Sequence, residues 1–236
     1  MDIIGSQKIL TFTSRGQIAS LTSCAIRKAK ALKVTSYMDL ATRVAELQFR
    51  NRDFVPLFRG QSTDHKNIFG YTTLKPTILR APGTGKVPTD TALNQRFKKL
   101  VAAEKALVDE YEAQEMLGRE RLARQRILRW AILQHYEICR TPLLDVTQSL
   151  RIAASFASQD GSKEAFVFVL GIPNISGAIT ASAEAGLQTI RLASVCPPSA
   201  VRPHLQEGYL LGEYPEFASA EQKLLYPMPR WILVAG

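Results

Sequence analysis

Cysteine is scarce in this chain: Cys24, Cys139 and Cys196 are odd in number and far apart in 236 residues. That excludes the disulfide framework of a small secreted domain and leaves reduced thiols as the reading. Histidine is equally scarce, and only His135 has a neighbour at ligand-like spacing, Cys139 four residues on. Zinc takes three or four protein ligands, so one such pair does not make a site and no metal is expected. No apolar run approaches the length of a bilayer span, and the opening MDIIGSQKILTFTSRG lacks the basic-then-apolar layout of a secretory signal. The expectation is a soluble, cytoplasmic protein with no membrane association. Internal repeats, low-complexity tracts and a Pro/Gly-rich linker are also missing. A chain that is 46% hydrophobic and undivided reads as a single α+β domain with a sizeable core.

Acid is in short supply too. Against 30 Lys and Arg there are 21 Asp and Glu, giving a net charge of +9 and a pI near 9.6. Up to Arg50 there are eight bases against three acids, and between Arg119 and Arg129 five arginines against one glutamate. Such a field attracts polyanions, and phosphate contacts then supply salt-sensitive affinity. A solvated helix face carries similar runs, and the same surface would serve an acidic protein partner.

Hydrophobic periodicity divides the chain as follows. KILTFT at 8–13 alternates as a short strand, and Ser36 to Phe49 places Met38, Leu40, Ala41, Val44, Ala45 and Leu47 at helical spacing behind a capping Ser36. Phe54 to Arg59 reads as a buried strand that delivers an arginine to its end. Residues 62–90, rich in Thr, Gly and Pro, read as an extended surface loop. Within it Gly83-Thr84-Gly85-Lys86 fails as a phosphate loop, because the earlier glycine and the following Ser or Thr are missing. Thr91 to Tyr136 is helical with a break at Gly118, its faces supported by the pairs Glu115/Arg119 and Glu120/Arg124. Ile152 to Ala157 continues a helix, and Ala165–Leu170, Gln188–Ala193, Tyr209–Leu211, Lys223–Tyr226 and Trp231–Val234 are strand candidates.

Polar groups crowd between Leu133 and Ala157 in a stretch that otherwise reads as buried: His135, Tyr136, Asp145, Thr147, Gln148 and Ser149. A chain hides such groups only where something satisfies them. Arginine's planar fork holds phosphate oxygens in two parallel hydrogen bonds, so Arg59 is a candidate anion ligand, with Gly60 letting a pyrophosphate approach the backbone. Gln61 completes that segment. Thr147 and Ser149, two apart, can brace a ribose or orient a carboxylate if extended. Ser149 can equally cap the helix that begins near Leu150. His135 and Tyr136 either touch a ligand or form a satisfied core pair. Asp145, flanked by Leu143 and Leu144, is expected to be partly buried and paired with Arg59 or Arg140. Arg80 is a secondary candidate for phosphate contact.

The segments LFRGQ (57–61) and QHY…LLDVT…AASFA (134–157) resemble the FRG domain family, named for its Phe-Arg-Gly motif, whose longer motif reads QHYGLPTRLLDWT before a small-residue helix. LKPTILR (74–80) and RPHLQEGY (202–209) extend the resemblance. The family's Gly-Leu-Pro-Thr-Arg stands here as Glu137-Ile138-Cys139-Arg140-Thr141-Pro142, and its Trp as Val146. The motif order is also similar to the ADP-ribosyltransferase plan: an early-strand arginine, a Ser/Thr element leading into a helix, and a late Gln/Glu element. That resemblance implies a mixed central sheet of ADP-ribosyltransferase-like type with a helical N-terminal half. Residues 1–50 would form an N-terminal strand and helix packed on an FRG-like domain at 51–236.

It further implies an NAD-dependent ADP-ribosyltransferase. Arg59, Gly60, Gln61, His135, Tyr136, Asp145, Thr147 and Ser149 would hold the dinucleotide. Gln206 would fix a ribose hydroxyl, and Glu207 would stabilise positive charge at the anomeric carbon, unless Glu207 is merely a turn acid. The basic charge points to nucleic acid as acceptor, single-stranded RNA above all, because its base amines are exposed without the cost of unpairing. A toxin-like effector follows, in a toxin–antitoxin or phage-defence setting and with an acidic neutralising partner. Two other classes fit the same residues: a non-catalytic nucleotide- or phosphate-binding module, and an RNA-cleaving toxin with His135 as base.

Overall fold

The computed structural model describes residues 8–81, 87–173, 175–196, 201–217, 219–220 and 233–235. A hairpin of β1 (Lys8–Phe12) and β2 (Ile18–Thr22) leads into α1 (Ser23–Lys28) and α2 (Tyr37–Arg50). Helix α2 starts where Ser36 Oγ accepts the Asp39 N–H at 3.1 Å, and Leu40, Val44 and Leu47 form its buried stripe. Strand β3 (Val55–Gln61) follows, then the long loop, whose only regular pieces among the described residues are a Lys66–Thr72 bridge and a 3₁₀ turn at Thr77–Leu79. Next come α3 (Asp90–Ala113), α4 (Arg119–Arg124) and α5 (Arg126–His135). The remainder is β4 (Leu144–Thr147), α6 (Leu150–Ala157), β5 (Phe166–Ile172), β6 (Ile179–Ser182), β7 (Leu187–Arg191), α7 (Val201–Leu205), β8 (Gly208–Glu213) and β9 (Leu233–Ala235).

The fold is α+β. Its main sheet has the order β6-β7-β8-β4-β3-β5-β9, and every described pairing is antiparallel, which corrects the expectation of a mixed sheet. Strands β3 and β4 meet at one position, Phe58 with Thr147, whereas β3 pairs with β5 from Val55 to Gln61 and β4 pairs with β8 along its whole length. The sheet is therefore two ribbons joined at a single register point. The candidate site lies at that joint.

Two apolar clusters hold the layers. One gathers Leu57, Leu144, Leu170 and Leu211 with Ile9, Ile26 and Val44, so the segment from β1 to α2 shares the core of the main sheet. The other packs Leu100, Ile127 and Trp130 of α3 and α5 against Ile190 and Leu210 on the opposite face. Within it Glu104 accepts from Trp130 Nε1 (2.7 Å), Arg129 Nε (3.0 Å) and Arg126 Nε (3.2 Å), which ties α5 to α3 through a buried carboxylate.

Gly60 is explained by packing. A Cβ built there would stand 1.8 Å from the Ala153 carbonyl oxygen and 2.7 Å from the Ala157 nitrogen. The small residues of α6 and the glycine of β3 thus let helix backbone lie directly on strand backbone. The side of Gly60 on which a Cβ would stand is filled by α6.

The helical stretch has two breaks. Gly118, at φ 87°, separates α3 from α4 as expected, and Gln125 adds a second break that splits the rest into α4 and α5. Of the two expected ion pairs, Arg119 instead reaches Glu112 at 3.6 Å and donates to the Glu115 carbonyl. The stretch 83–86, the strand expected at 223–226 and residues 231–232 of the last expected strand lie outside the described residues. No helix among the described residues is long and apolar enough to cross a membrane.

Candidate functional site

Strand β3 carries Arg59 to the joint between the ribbons. Its side chain is only 13% exposed; Nη1 donates to the Asp145 carbonyl at 2.6 Å and lies 3.9 Å from Asp145 Oδ2. Its Nε is buried with no hydrogen-bond partner. Burial pulls the guanidinium pKa down to about 10; Asp145 pulls it upward, and the Arg80 charge adds to the depression. A buried cation with an idle donor is arranged to meet an acceptor the chain itself does not provide.

Asp145 is paired as expected but not buried, since its side chain is 59% exposed. Residues in β4 alternate: Leu144 and Val146 enter the apolar cluster, while Asp145 turns toward α5. There its Oδ1 accepts from Gln134 Nε2 at 2.8 Å, and Gln134 Oε1 in turn accepts from the buried Thr141 hydroxyl. The chain Thr141–Gln134–Asp145–Arg59 fixes the arginine from behind.

Thr147 is buried, and its hydroxyl is fully engaged. Oγ1 donates to the Gln206 carbonyl at 2.7 Å and accepts the Ser149 N–H at 3.0 Å. A hydroxyl has one proton to give, so Thr147 holds the Gln206 turn in place rather than offering that proton to a ribose. Ser149 occupies the N-cap position of α6, but its side chain makes no capping bond.

Arg59, Gly60, Asp145, Thr147 and Gln206 nevertheless line one cavity of about 400 Å³. Its apolar wall includes Phe58, Val146, Phe156, Leu192 and Tyr209, and its remaining polar lining is Thr77, Gln134, Glu137 and Arg202. This size falls in the range of small-molecule sites. The side-chain charges balance, Arg59 and Arg202 against Asp145 and Glu137.

Several expected members stand outside that lining: Gln61, His135, Tyr136, Ser149 and Glu207. The rings of His135 and Tyr136 pack edge to face, 4.9 Å apart at 76°, and Tyr136 is mostly exposed. Burial, then the Arg202 charge, holds the His135 pKa below the ordinary imidazole value. Glu207 is exposed and lies in the turn after α7 in a left-handed conformation, φ 45°. Its main chain does the work, its carbonyl accepting from Gln148 N–H at 3.3 Å. Gln61 Oε1 is buried without a partner.

Several lining residues lie inside the motifs quoted from the sequence without being singled out there, among them Thr77, Gln134, Glu137, Phe156, Arg202 and Tyr209. Glu137 and Arg202 pair at 3.5 Å across the mouth, and the Tyr209 hydroxyl donates to Gln148 Oε1 at 3.1 Å. Among the described residues, no three His, Cys, Asp or Glu side chains gather as metal ligands.

Residues 56–165 match the family model of the FRG domain. That segment, just under half of the chain, contains Arg59, Gln134, Glu137, Asp145 and Thr147, whereas Arg202 and Gln206 lie beyond it. No match was found among curated proteins or among solved structures.

Proposed function

We infer, from a chain that carries an FRG domain over residues 56–165, that the cavity binds a nicotinamide dinucleotide and that the protein is an NAD-dependent ADP-ribosyltransferase. The observation that carries this reading is the meeting of Arg59, Thr147 and Gln206, from β3, β4 and the α7–β8 turn, on one cavity. Arg59, with its buried and unpartnered Nε, suits a phosphate oxygen as the missing acceptor. Phe156 and Tyr209 offer flat apolar surface on which an aromatic ring can stack. The dinucleotide supplies an activated glycosidic bond: nicotinamide leaves with the electron pair of the C1′–N bond, the acceptor's lone pair bonds C1′, and the acceptor's proton passes to solvent.

The chain's part is placement and field. Arg59, locked by Asp145 and Gln134, fixes the phosphate end without reorganising. Thr147 sets the position of the Gln206 turn, and the Gln206 amide holds a ribose hydroxyl. The carboxylates on the wall are Asp145 and Glu137, and the electrostatic role falls to Glu137, which pairs with Arg202 at the mouth, rather than to Glu207. Nucleic acid, single-stranded RNA above all, is the acceptor class that the +9 charge favours. A toxin-like effector with an acidic neutralising partner is the corresponding biological role. RNA cleavage with His135 as base is less well served, because His135 is not on the wall.

Incubation with dinucleotide labelled on the adenylate, together with cellular RNA, should transfer label to RNA and release nicotinamide. Arg59→Ala should abolish both while the circular dichroism spectrum is unchanged. Saturable dinucleotide binding with neither transfer nor nicotinamide release would instead identify a non-catalytic binding module.

A further inference from the structure

Beside the cavity, and outside its lining, three arginines from three segments converge on one peptide turn. The turn is the 3₁₀ segment Thr77–Leu79 with its flanks. It is pinned where Thr77 Oγ1 accepts the Thr141 N–H at 3.2 Å and Ile78 N–H reaches the Thr141 carbonyl at 3.2 Å. Arg96, from α3, donates through Nη1 to the carbonyls of Ile78 and Arg80, both at 2.7 Å. Arg140, from the connection after α5, donates to the same Arg80 carbonyl at 3.4 Å. Arg80 itself turns back, its Nε donating to the Lys75 carbonyl at 2.9 Å.

Each guanidinium is thus held by one edge on neutral carbonyls. None of the three forms an ion pair among the described residues. Burial lowers the pKa of both Arg80 and Arg96; Asp145 pulls Arg80 back upward, and the neighbouring Arg140 charge lowers each of the two further. Asp145 is the acid that acts on Arg80, and it is already engaged by Arg59 and Gln134. Three guanidiniums gathered on one turn, two of them exposed and none in an ion pair among the described residues, make a local excess of positive charge that favours a bound polyanion. The free fork edges supply the donors such an anion needs.

We propose that Arg80, Arg96 and Arg140 form an anion subsite that binds phosphate groups, either the diphosphate of a dinucleotide in the adjoining cavity or the phosphodiester backbone of a nucleic-acid acceptor. Its place in a transferase rests on the function inferred above; its phosphate binding does not. The test is calorimetric titration of the full chain with inorganic pyrophosphate at low salt. Wild type should bind saturably, and Arg80→Gln/Arg140→Gln should bind at least about tenfold more weakly with an unchanged melting temperature. Raising the salt should weaken the wild-type complex.

Two further titrations separate the sources. A tenfold loss for NAD in the double variant assigns the subsite to the dinucleotide, and the same loss for a single-stranded oligoribonucleotide assigns it to the acceptor. Equal pyrophosphate affinity in wild type and double variant, or no binding to wild type, overturns the proposal. Pyrophosphate binding that depends on these arginines, in a protein that neither transfers label nor releases nicotinamide, would retain the subsite and remove the transferase.

Discussion

Glu137 sits where few side chains belong. It is the first residue beyond the cap of α5, at φ 56°, and its N–H bonds the Gln134 carbonyl at 3.0 Å while Ile138 N–H reaches Leu133 at 2.9 Å. That pair of bonds is the Schellman arrangement, which favours glycine because a left-handed residue with a Cβ costs on the order of 1 kcal/mol. The FRG motif has glycine after QHY, and this chain has glutamate. Strain kept at a cavity wall points to a side chain retained for what it does there. Glu137→Gly should therefore raise stability by about 1 kcal/mol, read by thermal melting, while lowering transfer of label. A variant that is both more stable and fully active would show that the carboxylate is incidental. At this scale Arg59 and Gln206, singled out in the sequence by residue type, both line the cavity. Glu207 stands outside that lining, because a side chain's direction at a turn depends on a left-handed φ that no spacing rule reveals.

Among the elements, the contact of α6 with β3 carries the most precise prediction. Gly60→Ala would drive a methyl group into the Ala153 carbonyl, at a built distance of 1.8 Å. Both neighbours are backbone, so nothing flexible can yield, and overpacking of this kind costs about 3 kcal/mol or more. Denaturant unfolding should register that loss; a change under about 0.5 kcal/mol would mean that helix and strand are not in backbone contact. The small residues of α6 announced a close approach in the sequence, but not its partner, which lies some ninety residues earlier. Gly118 was legible as a break because glycine punctuates helices. Gln125 was not, since it adopts a non-helical φ and ψ with no compositional signal. β2 and α1 also escaped notice, because Ile18–Thr22 and Ser23–Lys28 are short and weakly periodic.

Across the whole molecule, hydrophobic pattern identified most strands and hence the α+β class, while strand direction and order, decided by long-range pairing, were out of its reach. The single Phe58–Thr147 link between two antiparallel ribbons is the feature that opens a cavity at the ends of β3 and β4. Net charge proved a blunt guide as well. Of the five arginines between 119 and 129, Arg126 and Arg129 are committed to the buried Glu104, whereas Arg80, Arg96 and Arg140, spread through the sequence, come together in space. The central claim is that three segments remote in the chain build one ligand site, and hydrogen–deuterium exchange with and without NAD tests it most directly. Protection should appear together in peptides covering 55–61, 144–149 and 202–208, and should vanish in all three for Arg59→Ala. Protection confined to one segment, or none at saturating NAD, would contradict the account.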